Sequence, residues 1–215
     1  MMILGLVVDL FERVEPQMAI APLVIGGIAV GATVAVIIWN WLRGKKLAVL
    51  GMEGSGKTTF LYWLKDKKFK NTEATGVVDY GGFGFFNGIK IKAGKDIGGN
   101  AMYVREYYVP LLDEANLVIF VFDASRYIAN EDYRRDTLDR ADFISRNIPD
   151  GKKSYVLATH FDKTNYNNVV GCREQILQLC DDDVKVFLSK RLIVCNLTEK
   201  DSVNRAVNTI FGRNL

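Results

Sequence analysis

The chain has little of what metal centres and disulfide frameworks need. It contains a single histidine and three cysteines. The cysteines, Cys172, Cys180 and Cys195, follow neither a CxxC pattern nor another metal-ligand spacing. We therefore expect no zinc site and reduced, mostly buried thiols. The formal net charge is only +3, so charge gives no reason to expect nucleic acid as a partner.

Charged residues are absent from one long stretch near the amino terminus. None occurs from Pro16 to Leu42, whereas about 20 apolar residues are enough to cross a bilayer as a helix. We therefore predict a transmembrane helix over residues 17–42, in contact with the lipid bilayer. Gly27 and Gly31 share one face of this helix, so a homodimer contact between two such helices is a further expectation.

The residues on either side of this span predict its orientation. Arg43, Lys45 and Lys46 follow it directly, and positively charged flanks favour the cytoplasmic side. Residues 1–16 would then form an extracytoplasmic tail. Their apolar spacing fits an amphipathic helix, and a disordered or partner-bound tail fits equally well. A bacterial inner membrane and an endoplasmic reticulum membrane both agree with this single-pass topology.

A glycine-rich stretch follows soon after the span. Gly51-Met-Glu-Gly-Ser-Gly56-Lys57-Thr58 fits the GxxxxGK[ST] pattern of a phosphate-binding loop, between a predicted strand, Lys46–Leu50, and a predicted helix, Thr58–Lys67. Backbone N–H groups would surround an anion at the helix N-terminus. Lys57 would reach the β- and γ-phosphates of a nucleotide, and Thr58 would bind Mg²⁺. The residues expected to contact the nucleotide here are Gly51, Glu53, Gly54, Ser55, Gly56, Lys57, Thr58 and Thr59.

Beyond residue 43, β-rich runs alternate with segments of helical periodicity. Further strands are predicted at Leu117–Phe122, Ser154–Thr159 and Arg191–Asn196, and further helices at Glu131–Arg146, Gly171–Cys180 and Ser202–Phe211. An antiparallel hairpin is predicted over Val77–Lys92, with Asn87-Gly88 as its turn, and Asp181-Asp-Asp183 as a short acidic turn. The pattern predicts one α/β domain over residues 43–215, with a mostly parallel sheet and helices on both faces.

Ligands bind beyond the carboxyl ends of the strands of such a sheet. The hairpin is followed by Asp96-Ile97-Gly98-Gly99-Asn100, in which Asp96 would hold Mg²⁺ through water and the Gly99 N–H would meet a γ-phosphate. The strand that ends at Thr159 is followed by His160-Phe161-Asp162-Lys163, and the last strand by Cys195-Asn196-Leu197. These segments are the remaining candidates for nucleotide contacts.

In this order and spacing, these segments resemble those of the small Ras-like GTPases. The DIGGN sequence and the aromatic-rich helix Tyr103–Tyr108 are most similar to the DVGGQ region of the ADP-ribosylation factor branch. The resemblance covers Lys46 to the C-terminus. It implies a phosphate-loop GTPase domain with a six-stranded sheet, GTP or GDP and Mg²⁺ as ligands, and Thr75 as the residue that senses the γ-phosphate through Mg²⁺. A domain of this kind directly after one membrane span also resembles, in architecture only, the beta subunit of the signal recognition particle receptor.

The base-reading segments depart from the family pattern. The usual NKxD is here Thr159-His160-Phe161-Asp162. Asp162 would still accept from guanine N1–H and its amino group, which implies a preference for guanine. Thr159 lacks the amide that braces the phosphate loop, so we expect weakened affinity, and His160 either stacks over the base or is a surface residue without a role. Cys195-Asn196-Leu197 replaces the usual SAK or CAT, which leaves a backbone N–H for the guanine carbonyl but loses help from side chains.

The catalytic position departs as well. The family uses a glutamine after DxxG to orient the attacking water, and this chain has Asn100, whose amide stands on a stem one methylene shorter. A displacement of about 1 Å can cost on the order of 100-fold in rate. We therefore expect Asn100, with Gly99, to support only slow GTP hydrolysis. A partner could supply an arginine, whereas Arg105 of this chain is expected on a solvated helix face.

Three functions agree with these features. The first is a membrane-anchored GTPase switch that is read by a cytoplasmic effector. The second is a nucleotide-bound docking subunit that seldom hydrolyses GTP and offers a membrane platform to a larger partner. The third, which the sequence favours least, is an ATP-using phosphate-loop protein.

Overall fold

The computed structural model describes residues 46–66, 77–80, 82–85, 89–91, 94–97 and 107–212. The chain divides into two units between Arg43 and Gly44, and all the described residues belong to the second unit. The predicted tail at residues 1–16, the predicted span at residues 17–42, and Gly27 and Gly31 lie outside the described residues. Within the described ranges, no helix combines the length and the apolar character that crossing a bilayer requires.

A parallel sheet forms the centre of the domain. Its strands are β1 (Leu47–Gly51), β6 (Leu117–Asp123), β7 (Lys153–Thr159) and β8 (Leu192–Val194), in the spatial order β1-β6-β7-β8. Every residue of β1 and β6 is buried. Strands buried on both faces lack polar alternation, which is why the apolar runs in the sequence predicted them well.

Helices cover both faces of this sheet. They are α1 (Lys57–Asp66), α2 (Val109–Glu114), α3 (Ala124–Ala129), α4 (Glu131–Asn147), α5 (Val169–Gln178), α6 (Asp182–Ser189) and α7 (Lys200–Phe211). Apolar residues of α1 and α7 pack with Ile119 and Val121 of β6 in one core cluster. Residues of α2 to α6 pack with Phe120 and Phe122 in a second cluster. Neighbouring residues of β6 thus serve opposite cores, as the period of two in a strand requires.

Four predicted helices, Thr58–Lys67, Glu131–Arg146, Gly171–Cys180 and Ser202–Phe211, are confirmed to within two residues at each end, but within the described residues the sequence missed three helices. One is α6, because the three acidic residues were interpreted as a solvated turn. In the structure Asp181 is the N-cap residue, and Asp182 and Asp183 form the first turn. Carboxylates at a helix N-terminus are stabilised by the helix dipole, so the same acids that suggested a turn begin a helix. The others are α2 and α3, each only six residues long.

The six-stranded sheet predicted from the family resemblance is wrong for the described residues: the parallel sheet has four strands. Three strands of the predicted hairpin segment, and a fourth strand beyond it, form two antiparallel pairs: β2 (Val77–Tyr80) with β5 (Gly94–Ile97), and β3 (Phe83–Phe85) with β4 (Ile89–Ile91). β5 lies close to β1, but the ladder assigned to β5 is with β2. Proximity alone does not join strands, since pairing also needs aligned N–H and C=O groups. The predicted turn at Asn87-Gly88 lies outside the described residues.

Candidate nucleotide-binding site

Two side chains of the phosphate loop donate hydrogen bonds to the same backbone carbonyl group. β1 ends at Gly51 and α1 begins at Lys57. Between them, the Met52 carbonyl oxygen accepts hydrogen bonds from Ser55 Oγ at 2.8 Å and from Lys57 Nζ at 2.7 Å. Lys57 is buried, with 6% of its surface exposed. A buried ammonium requires close polar partners, and the loop backbone supplies one.

Three glycines give the loop its curvature. Gly51, Gly54 and Gly56 have φ angles of +147°, +70° and +85°, a region that residues with a Cβ rarely adopt. A Cβ on Gly56 would lie 2.7 Å from Leu197 Cδ1, so a larger residue would push into the last-strand loop. Backbone of this shape forms a concave nest of N–H groups that suits an anion. With the ammonium of Lys57 at its base, the loop fits the phosphates of a nucleotide.

Two buried side chains hold the first residue of the loop, and sequence analysis missed both. The Gly51 N–H donates to Tyr108 Oη at 3.1 Å, and Arg140 lies with one guanidinium nitrogen 3.4 Å from the Gly51 carbonyl oxygen. Burial raises the pKa of Tyr108, so its hydroxyl stays protonated. A usable signal existed for Arg140: it stands at helical spacing from Tyr133 and Thr137 on the buried face of α4, where an arginine needs polar partners.

Thr159 does brace the phosphate loop. Thr159 is buried. The distance from its Oγ1 is 2.8 Å to the Ser55 carbonyl oxygen, 3.0 Å to the Phe122 carbonyl oxygen and 2.9 Å to His160 Nδ1. A hydroxyl has one hydrogen to donate and can also accept, so Thr159 donates to one of the two carbonyls at a time, and when it donates to Ser55 it can still accept from His160 Nδ1. The prediction that this position no longer braces the loop is therefore wrong. The shorter side chain reaches the backbone of the loop directly.

His160 connects this brace to a buried carboxylate. Its backbone has φ +55° and ψ +35°, a left-handed conformation that is uncommon for a residue other than glycine. Its Nδ1 lies 3.4 Å from Asp123 Oδ2 as well as close to Thr159. Burial is the main cause that lowers the pKa of His160, which favours a neutral imidazole at pH 7. His160 is therefore not a free surface side chain, and stacking on a base stays a prediction.

Asp162 and Cys195, which follow the neighbouring strands β7 and β8, lie close enough for the charge of Asp162 to act on the thiol. Asp162 is exposed on a short 3-10 helix, Phe161–Lys163, directly after β7. Cys195 is buried one residue beyond β8, and its N–H donates to the Ala158 carbonyl oxygen at 2.8 Å. Burial, and then the charge of Asp162, raise the pKa of the Cys195 thiol to about 12. Cys195 is therefore a protonated packing group, and Asp162 remains the exposed acceptor.

The last-strand loop uses its own polar groups. The Asn196 N–H donates to Ser202 Oγ at 2.9 Å, and Asn196 Oδ1 accepts from the N–H and the hydroxyl of Thr198, both at 2.8 Å. The side chain of Asn196 is thus turned into its own loop. The N–H that could meet a guanine carbonyl already has an acceptor in Ser202, which no sequence pattern indicated.

A Ser202→Ala variant is expected to bind guanine nucleotides about three- to ten-fold more tightly, because nucleotide binding no longer has to break one hydrogen bond of about 1 kcal/mol. Equilibrium titration with fluorescent GDP measures this change. Ser189→Ala is the control, since Ser189 Oγ also makes one local hydrogen bond, in which it donates to the Val186 carbonyl oxygen on α6, away from the phosphate loop. Weaker GDP binding by the Ser202 variant would mean that its hydroxyl supports the bound loop instead of competing with the base.

The carboxyl end of β6 holds two residues that sequence analysis also missed. Asp123 caps α3: its Oδ1 accepts from the Arg126 N–H at 3.1 Å and from Ser125 Oγ at 2.6 Å. The Arg126 side chain donates to the Glu53 carbonyl oxygen of the phosphate loop at 3.1 Å. The rule that candidates follow each strand also applies to the predicted strand Leu117–Phe122, and would have found them.

The predicted metal ligands are only partly described. Thr58 and Thr59 are the second and third residues of α1 and are half-buried. Asp96 lies within β5, opposite Val78 of β2, and not after the hairpin as predicted. Among the described residues, no group of three or more histidines, cysteines or acidic residues could hold a metal. The predicted site residues outside the described ranges are Thr75, Gly99 and Asn100; Arg105 and most of the Tyr103–Tyr108 segment lie outside them too.

Comparison with known proteins gives one family. Residues 33–140, half of the chain, match the sequence profile of the ADP-ribosylation factor family. The match includes the phosphate loop and the carboxyl end of β6, and it ends within α4, before Thr159 and the last-strand loop. No curated protein matches the chain significantly.

Proposed function

The chain belongs to the ADP-ribosylation factor family, and from this premise we propose that it is a membrane-anchored GTPase with slow intrinsic hydrolysis that recruits a cytoplasmic partner. It is a small GTPase switch that binds GTP. The observation that carries the proposal is the phosphate loop, in which Lys57 is buried against the Met52 carbonyl. The anchor is supported by the uncharged stretch at residues 17–42, followed by basic residues.

Each part of the site has a task in this proposal. The N–H groups of the loop and Lys57 bind the phosphates, while Thr159 keeps the loop in register through Ser55. Asp162 accepts from the donors of guanine, and the Asn196 N–H exchanges its bond to Ser202 Oγ for one to the guanine carbonyl when the base binds. Bound Mg²⁺ neutralises charge on the phosphates, and Thr58, Thr75 and Asp96 are the residues that would hold it.

The switch and the partner follow from the same residues. Contacts from Thr75 and Gly99 to the γ-phosphate would be lost on hydrolysis, and a cytoplasmic effector would read the resulting change. The order of one span and then a GTPase domain resembles the beta subunit of the signal recognition particle receptor. By this likeness we extend the proposal to an effector that docks at a membrane.

Single-turnover hydrolysis of GTP by the purified full chain in detergent tests the proposal. The wild-type protein is expected to hold GTP intact for hours, and Asn100→Gln to accelerate hydrolysis on the order of 100-fold, because the longer stem returns the amide to the attacking water. Asn208→Gln, at an exposed position of α7, is the matched control and should behave as wild type. Fast hydrolysis by the wild-type protein would contradict the slow step.

The same measurement separates the docking subunit from the switch. If GTP stays intact in both the wild-type protein and Asn100→Gln, and a cell lysate adds nothing, hydrolysis plays no part and the docking subunit is favoured. Co-purified ATP in place of GTP or GDP would contradict both.

A further inference from the structure

Arg126 reaches the phosphate loop from a different strand. It belongs to α3, which begins directly after β6 with Asp123 as its capping residue. Because the cap fixes the first turn of α3, the side chain of Arg126 leaves the helix at a defined place. Its guanidinium lies 4.1 Å from the centre of the Tyr133 ring and 3.1 Å from the Glu53 carbonyl oxygen.

This arginine is held in place but keeps donors to spare. Stacking on an aromatic ring fixes the plane of a guanidinium and leaves its edge free for hydrogen bonds. A guanidinium has five N–H donors. Among the described residues, the side chain of Arg126 makes one hydrogen bond, to Glu53. The residue as a whole is exposed, so the remaining donors face solvent beside the loop.

The position of Lys57 identifies which part of the phosphate loop Arg126 contacts. Its ammonium, the group that reaches the β- and γ-phosphates in such loops, is bonded to the Met52 carbonyl. Arg126 is bonded to the carbonyl of Glu53, the very next residue, and it borders Gly54: a Cβ there would lie 3.6 Å from a guanidinium nitrogen. The two cations therefore meet the loop one peptide unit apart, at its β- and γ-phosphate end.

We propose that Arg126 contacts the terminal phosphate of bound GTP and makes the site favour the triphosphate over the diphosphate. The inference rests on the proposed function, since it needs a guanine nucleotide in the loop. A guanidinium binds phosphate oxygens through parallel N–H donors, and an arginine supplied within the same chain is an established arrangement in GTPases. Within the described part of the chain the guanidinium of Arg126 forms no ion pair, and Asp123 Oδ1 accepts instead from the Arg126 N–H and from Ser125 Oγ.

Nucleotide affinity measures this contact without relying on hydrolysis. The full chain in detergent is titrated, in the presence of Mg²⁺, with fluorescent GDP and with a fluorescent GTP analogue that cannot be hydrolysed. Arg126→Gln is compared with wild type. The matched control is Arg146→Gln, because Arg146 is an exposed arginine of α4 that pairs with Asp142 on its own helix.

Arg126→Gln is expected to lower the affinity for the triphosphate analogue about ten-fold or more, because a charged hydrogen bond is lost. The affinity for GDP should change less than about three-fold. Arg126→Lys should fall between wild type and Arg126→Gln, because it keeps the charge but not the planar fork. An equal loss for both nucleotides would overturn the proposal and leave Arg126 as a support of the Glu53 carbonyl. Unchanged affinities would overturn it as well.

These outcomes are distinct from failure of the proposed function. If the wild-type protein binds neither GDP nor the GTP analogue, the proposed function fails and this inference falls with it. If the wild-type protein binds both and only the expected difference for Arg126→Gln is missing, the proposed function stands and this inference alone is wrong.

Discussion

Gly51→Ala is expected to destabilise the folded domain by about 3–5 kcal/mol, through overpacking and backbone strain together. A Cβ at this position would lie 1.9 Å from the Val121 carbonyl oxygen, which belongs to the backbone of β6. That oxygen cannot move aside without separating β1 from β6 and breaking its hydrogen bond to the Met52 N–H, which measures 2.9 Å. The φ angle of +147° adds strain for any residue other than glycine.

Thermal unfolding of the full chain, followed by circular dichroism, measures this effect. Gly151→Ala is the matched control, because Gly151 has φ +78° but, its chain neighbours apart, no atom of the described residues lies within 4 Å of the place where a Cβ would be. It isolates the cost of the backbone conformation, about 1 kcal/mol. Gly56→Ala should fall between the two, since the atom it meets is the end of the Leu197 side chain. Equal melting temperatures for Gly51→Ala and Gly151→Ala would contradict the steric argument.

Asp162→Asn is expected to change which base the protein prefers. A carboxylate accepts from both the N1–H and the amino group of guanine. An asparagine offers one acceptor and one donor, which match the N1–H and the additional carbonyl of xanthine. Loss of matched hydrogen bonds is expected to weaken GDP on the order of 100-fold, less than in a fully buried site because Asp162 is exposed. Binding of xanthosine diphosphate should improve by a similar factor.

Competition titrations with GDP, xanthosine diphosphate and ADP against one fluorescent nucleotide measure the change. Asp150→Asn is the control, since Asp150 is another exposed aspartate, in the turn before β7. If Asp162→Asn leaves all three affinities unaltered, Asp162 does not read the base. The ATP-using alternative would then gain support.

The sheet and most of the helices could be predicted because their signals are local. β6 is a continuous apolar run, and α4 shows helical periodicity over 17 residues. The number of strands in the parallel sheet was not predictable in this way. Whether β5 forms a ladder with β1 depends on the alignment of backbone groups far apart in the chain, and this has no counterpart in a local pattern.

In the candidate site, too, local features could be predicted and contacts between distant segments could not. The phosphate loop is a contiguous motif, so its residues and their approximate roles follow from the sequence. The contact from Thr159 to Ser55 joins residues 104 positions apart, and it reversed the expected loss of a brace. Arg126 and Tyr108 likewise act on the loop from distant segments. Whether such a contact forms depends on the length of the side chain and on the distance between the two segments in the folded domain. A sequence motif does not contain that distance.

The entry of the chain into β1 has a mechanical consequence. Lys46 is fastened on two sides: its N–H donates to Asn116 Oδ1 at 2.9 Å, and its ammonium pairs with Glu114 at 2.5 Å. The phosphate loop lies at the other end of β1, about 16 Å away for five residues at 3.3 Å each. If residues before Lys46 are tethered, a pull on the domain acts along β1, parallel to its ladder with β6. The hydrogen bonds of the ladder then bear the force together and not one after another. The pull would thus enter at the amino end of β1, opposite the end that carries the phosphate loop, and be shared along the whole ladder.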